Sequence, residues 1–256
     1  MFRTTCLFGL VTVIGAASLP SANAAEIKVL DANALTIAMK EIAADYTKET
    51  GNTVTFVGVN PGQVEQRIKA GEVYDLVITA TESAAAFEKE GRWIPGSRHP
   101  LARVGIGVAV RDGVKVDLSS VESTKKLLMD AKSVMYSNPS GGGLSGINAK
   151  KVVANLGLTD AIAPKLTLSK DLASGQAEIA KGDIDVGLFN LSEIPRAPGV
   201  TRAGPVPAAV EVYINYDSAV PVTNKAPEAA LALLRYFHRA ESKPVWDKAG
   251  LEVVGE

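Results

Sequence analysis

From Glu26 onward the apolar residues switch repeatedly between a strand-like run and a helical spacing of three or four, with short turns between. No other feature constrains the fold as much. Residues 27–30 read as a strand, Asp31-Ala32-Asn33-Ala34 as a tight turn, and Leu35, Ile37, Ala38, Ile42 and Tyr46 as one face of a helix that stops at Gly51-Asn52. A second strand over 53–57, a loop Gly58-Val59-Asn60-Pro61-Gly62, a helix over 64–70 and a third strand over 74–79 follow. Three βα units with short loops predict a parallel sheet with right-handed crossovers. Ligands sit beyond the carboxyl ends of such strands, where the loops at 31–34 and 58–62 both lie.

The apolar run 101–110 reads as one strand passing from a first domain into a second. The alternation then resumes, with helices predicted over 119–130, 146–156 and 172–181 and strands over 133–136, 165–168 and 185–190. The proline- and glycine-rich stretch 196–207 marks the approach to a return crossing, 210–216 a return strand, and 226–239 an amphipathic helix. A chain that leaves near 103 and returns near 210 forms one lobe from 25–102 and 210–256 and another from 103–209. Two lobes joined by two strands enclose a hinged cleft.

Between the strand at 133–136 and the helix after it lies Asn138-Pro139-Ser140-Gly141-Gly142-Gly143-Leu144-Ser145-Gly146-Ile147. Its glycines let backbone approach a ligand, Ser145 is placed to cap the helix, and the N–H groups of the first turn favour an anion. A phosphate-binding P-loop is excluded, because Ile147 stands where the lysine is required. A nucleophile elbow is excluded because Ile147 also stands in place of its second glycine.

The 27 basic and 28 acidic residues give no basic excess, which excludes a nucleic-acid surface. Arg3, the apolar run 7–17 and Ala22-Asn23-Ala24 have the pattern of a cleaved leader, so residues 1–24 are expected to be removed and the mature chain to start at Ala25 in the periplasm. The single cysteine, Cys6, falls in that leader, leaving no thiol chemistry, and His99 and His238 are too far apart in sequence to suggest a metal site. Asp31 is the only acid in the first two loops and has no histidine or cysteine near it in sequence, so the chain is not read as an enzyme.

Four stretches carry a family resemblance: Val29-Leu30-Asp31-Ala32-Asn33-Ala34-Leu35-Thr36, Gly71-Glu72-Val73-Tyr74-Asp75-Leu76-Val77-Ile78, Leu144-Ser145-Gly146-Ile147, and Leu234-Arg235-Tyr236-Phe237 with Trp246-Asp247-Lys248-Ala249-Gly250-Leu251-Glu252. They resemble the periplasmic solute-binding proteins of ABC importers, nearest to the molybdate-binding type. The resemblance implies an α/β type II periplasmic binding fold of two lobes with mostly parallel sheets flanked by helices. It implies a monomer that needs no cofactor or metal, captures a small anion such as a molybdate-like oxyanion by hinge closure, and delivers it to an inner-membrane ABC permease. In that family serine hydroxyls and backbone N–H groups hold the dianion. Position by position, these donors fall here on Ala34, on Asn60-Pro61-Gly62, on Ser145 and near Leu172, and the family's tyrosine falls on Asn190. The side chains present, Asn33, Asn60, Gln63, Ser145 and Asn190, also suit a polar solute or a small organic carboxylate. Arg103 would then either pair bidentately with the carboxylate or form a hinge ion pair with Asp75 or another acid. The same fold acting as a ligand sensor without transport stays open.

Overall fold

The structure is a computed structural model that describes residues 24–141, 143–194, 198–225 and 227–255. The expected leader, apart from Ala24, lies outside these residues, as does Gly142 of the glycine loop. In chain order the first lobe opens with β1 (Glu26–Ala32), α1 (Thr36–Thr50), β2 (Thr53–Val59), α2 (Pro61–Lys69), β3 (Leu76–Ala80), α3 (Thr81–Lys89) and β4 (His99–Val104). The second consists of β5 (Ile106–Arg111), α4 (Val121–Asp130), β6 (Val134–Ser137), α5 (Leu144–Asn155), α6 (Thr159–Ile162), β7 (Leu166–Ser169), α7 (Leu172–Lys181), β8 (Val186–Asn190) and β9 (Val200–Pro205). The chain then returns to the first lobe with β10 (Ile214–Ala219), α8 (Pro227–His238), α9 (Lys243–Ala249) and β11 (Glu252–Val253).

The first sheet has the order β11-β4-β10-β3-β1-β2 and the second β7-β6-β8-β5-β9. The predicted parallel units are present, β1 with β2 and β3, and β6 with β7 and β8. Each sheet is nevertheless mixed. β10 enters the first sheet from the opposite end and runs antiparallel to β3 and β4, and β5 runs antiparallel to β8 and β9.

Each lobe buries its own core on both faces of its sheet, as doubly covered sheets require. In the first lobe, Tyr46 of α1 meets Tyr236 of α8 edge-on and Phe237 meets Trp246 of α9 in the same way. Val64, Ile68, Phe87 and Trp93 pack on the other face. In the second lobe, Val152, Val153 and Leu156 of α5 cover one face and Ile179 of α7 the other. Local signals place the helix ends: Asn60 and Ser120 begin α2 and α4 with reciprocal capping boxes, and Gly51 closes α1 at φ 77°.

The apolar run 101–110 is not one strand but two, β4 and β5, separated at Gly105. The break has a tertiary cause. The Glu211 carboxylate lies where a Cβ of Gly105 would be, 2.5 Å from the ideal position. Its Oε1 accepts from the Ile106 N–H at 2.8 Å and the Val212 N–H at 2.9 Å, so one side chain joins the outgoing crossing to the returning one, which runs through 206–213. Beside it Arg103 donates through Nε and Nη2 to Oε2 of Glu252 at 2.8 and 2.6 Å and lies 4.1 Å from the Tyr213 ring centroid.

Burial pushes the Glu211 carboxyl up to about 7, against the pull of its two backbone donors and with a smaller push from the charge of Glu252. The folded chain therefore binds this proton more tightly than the unfolded one. The stabilisation is fully present below the ordinary glutamate value of about 4.3 and is lost as pH rises through about 7. Glu211→Gln keeps a carbonyl acceptor and removes the titration, so the fall in Tm between about pH 5 and about pH 8 should be smaller in the variant than in the parent, measured by thermal unfolding at both pH values.

Candidate functional site

The sheets place the carboxyl ends of β1, β2, β3, β6 and β8 toward the interval between the lobes. Helices therefore begin there. Pro61 and Gly62 of α2, Glu82 and Ser83 of α3, and Leu144, Ile147, Asn148 and Lys151 of α5 line one cleft of about 340 Å³, floored by Tyr213, Ile214 and Asn215 of the returning crossing. Three positive helix ends, two from the first lobe and one from the second, open onto this space. They differ in what occupies them. In α2 the Gln63 N–H donates to Asn60 Oδ1 at 2.9 Å and the Asn60 N–H to Gln63 Oε1 at 3.3 Å, so these two side chains serve each other. No side chain caps α3 or α5. Glu82, exposed in the first turn of α3, opposes an anion there, and Lys151 supplies a cation from the facing lobe.

The residues expected from sequence do not all meet in one place. Asn33 is tied to the second loop by its N–H, which donates to the Val59 carbonyl at 2.9 Å, and Ala34 is buried in the first-lobe core. Asn60, Pro61 and Gly62 form the start of α2, with Pro61 and Gly62 at the cleft. Ser145 and Asn190 meet directly: Ser145 Oγ accepts from the Asn190 N–H at 3.1 Å, joining the start of α5 to the end of β8. Ser145 is thus not the helix cap that its position suggested; Gly143 occupies that place. Leu172 opens α7, where Asp171 caps by accepting from the Ser174 N–H at 2.8 Å. Arg103 is held at the hinge by Glu252, while Asp75 accepts from the Lys28 N–H instead.

Buried polar atoms without a hydrogen-bond partner gather at these strand ends: Asp31 Oδ1 on β1, Thr79 Oγ1 on β3, Ser169 Oγ on β7, Asn190 Oδ1 on β8 and Ser192 Oγ just after it. Orphaned buried groups are uncommon in native proteins and mark places with a further role. Asp31 is fully buried and its Oδ2 accepts from the Thr36 hydroxyl at the start of α1. Burial pushes this carboxyl up to about 7, with the Thr36 hydrogen bond and the Lys40 charge pulling down.

The glycine loop does something sequence could not specify. A Cβ on Gly146 would lie 2.0 Å from the Ser137 carbonyl oxygen, so α5 starts in backbone contact with the end of β6. This contact sets the height at which the first-turn N–H groups of α5 face the other lobe. Lys151, Asn148 and Ile147 were missed from sequence, although with Leu144 they form an i, i+3, i+4, i+7 stripe on a predicted helix. Among the described residues, no group of three or more histidine, cysteine or acidic side chains is arranged to hold a metal ion, and no helix is long and apolar enough to cross a membrane.

Two lobes joined by two crossings enclose a cleft faced by helix ends, the architecture of a solute-binding protein, and comparison with known proteins agrees. Residues 27–252 match the family described as bacterial extracellular solute-binding protein, and the chain belongs to that family. It is 29% identical over 232 residues to the molybdate-binding protein ModA of Azotobacter vinelandii, covering 89% of this chain and 90% of that one. It is 26% identical over 243 residues to an aconitate isomerase of a Pseudomonas species, covering 89% and 88%. Among solved structures, the substrate-binding domain of a molybdenum ABC transporter from Clostridium difficile superposes with a TM-score of 0.76 at 21% identity, over 91% of this chain and all of that one. The chain is therefore a solute-binding protein.

Gly146→Ala has no room to relax, because the clash is with backbone. It should cost more than an ordinary overpacked side chain, about 3 kcal/mol or above, while Gly143→Ala, with nothing within 4 Å, should cost far less; denaturant unfolding of the two variants checks this. Ser145→Ala leaves the Asn190 N–H buried without its acceptor and should destabilise by about 1–3 kcal/mol in the same measurement.

Proposed function

We propose that this chain is a monomeric periplasmic receptor of an ABC importer whose solute is a small organic carboxylate, bound in the cleft between the lobes and presented to the permease in the closed form. One observation carries the reading: helix N-termini from both lobes open onto one cleft of about 340 Å³. The helix ends favour negative charge. Glu82 also lines the cleft and, exposed without an ion pair among the described residues, calls for a hydrogen-bond donor on the solute, which a hydroxylated or amino-bearing acid has and a bare metal oxyanion lacks; Glu65 is already served by the Ser83 hydroxyl and by Lys69. The relative named for aconitate, an organic carboxylate, supports the same class. Because the solute touches both lobes, its affinity for the closed arrangement drives the hinge.

A molybdate-type oxyanion is the second reading, favoured by the relatives named for molybdate. Against it stand Ala34 and Pro61, which offer neither a hydroxyl nor, at Pro61, an N–H where the molybdate pattern places serines.

The experiment is thermal unfolding of refolded, ligand-stripped protein with molybdate, tungstate, sulfate, phosphate and a series of mono-, di- and tricarboxylates. A ligand at about a thousand times its Kd stabilises by roughly 4 kcal/mol, which in a chain of this size raises Tm by about 8–16 °C. A shift of that size is expected with carboxylates; one confined to molybdate and tungstate would establish the second reading. The stabilising acid, followed by NMR in the presence of protein, is expected to remain unchanged, and catalysed isomerisation would make the chain an enzyme.

A further inference from the structure

At the end of the first lobe farthest from the hinge, α8, the start of β4 and the tail after β11 surround a cavity of about 560 Å³. Both histidines of the chain, His99 and His238, line it together with Arg235 and Arg239, and Leu231 and Leu234 form its apolar wall. β4 runs from His99 toward Gly105, so this cavity is roughly 17 Å from the hinge and separate from the cleft. Leu231, Leu234, Arg235 and His238 share one face of α8.

No aspartate or glutamate lines the cavity among the described residues. Among the described residues Arg239 is the only one of the four basic groups with an internal counter-charge: Nη1 donates to both Glu49 oxygens of α1 at 3.1 Å, with its guanidinium 3.4 Å from the Tyr236 ring centroid. Glu49 also accepts from the Tyr236 hydroxyl, and Asp45 of α1 lies within electrostatic reach of Arg239. Arg235 is exposed and makes no ion pair among the described residues. His238 is half-buried and its Nδ1 is sealed from solvent without a partner, so nothing on that side supports the charged ring. Burial, with the neighbouring charge of His99, holds its imidazole below the ordinary range, and a hydrogen bond to the Gly255 backbone acts the other way. An unpaired guanidinium beside two imidazoles on a concave surface, with no acid in its lining among the described residues, is an arrangement that an anion completes.

We propose that this cavity is a second binding site, for a small organic anion with two acidic groups on an apolar body, gripped by Arg235 and the two imidazoles and seated on Leu231 and Leu234. The guanidinium fork takes one acidic group bidentately. The imidazoles donate to the other once they carry protons, so anion and protons bind together and affinity rises as pH falls.

The chain has only two histidines, which makes the test local. The probe is benzene-1,3-disulfonate, whose charge is constant across the pH range, titrated into the full mature protein while the two imidazole NMR signals are followed. Both signals should move along one saturable curve, and the apparent pKa of His238 should rise by about one unit in the bound form, equivalent to roughly tenfold tighter binding when its imidazole is protonated. Arg235→Gln should weaken the probe at least about tenfold without changing Tm in its absence. Imidazole signals that do not saturate, or that respond equally in Arg235→Gln, would overturn the site. So would signals that move on deletion of Glu256, which lies outside the described residues, and not with the probe, because the cations would then serve the chain's own terminus.

Discussion

The Glu211 carboxylate holds the molecule's geometry together. Each lobe has its own core and closes its own sheet, so the relation between them rests on two short crossings, and Glu211 accepts backbone N–H groups from both. Its burial opposes the charge and the two amides favour it, which leaves a clamp that titrates near neutrality. Arg103, Glu252 and Tyr213 lie beside it as a half-exposed cluster worth little by itself but well placed to keep the crossings aligned. Away from the hinge the lobes also touch where Arg202 of β9 donates to the Lys248 carbonyl of α9 at 2.8 Å.

With the crossings fixed, the rest of the site follows from helix ends. A helix that starts at a capped residue has satisfied part of its demand for acceptors, and one that starts without a cap has not. α2 belongs to the first kind and α3 and α5 to the second, but α3 carries Glu82 in its first turn, so the strongest pull on an anion comes from α5, on the second lobe. Gly146 makes this effective from the second lobe, because only a residue without a Cβ lets α5 rest on the backbone of Ser137.

The fold was legible because its signals are local. Strand period, helix period and capping residues are read over a few positions, and they located the βα units and the direction of the chain between lobes. The misreadings share a cause. The run 101–110 has continuous strand character, and only Glu211, about a hundred residues later, divides it at Gly105. β9 lies in a proline- and glycine-rich stretch that reads as a turn region, yet it pairs at a sheet edge through a register shift, where such residues are tolerated. Arg103 was not misread, since a hinge ion pair was one of its two readings, but its partner, Glu252, comes from the other end of the chain and no local signal names it. His99 and His238 were read only as too far apart in sequence to suggest a metal site, and the fold puts them in one cavity.

The sequence by itself determined the class of structure, the order of its elements and a family of binding proteins, because periodicity and turn chemistry are properties of neighbouring residues. The tertiary structure decided what those elements do. Whether Ser145 caps a helix or accepts from β8, and which cations share a cavity, depend on contacts between segments tens to more than a hundred residues apart. Those contacts are set by packing, and packing is specified by the whole chain at once.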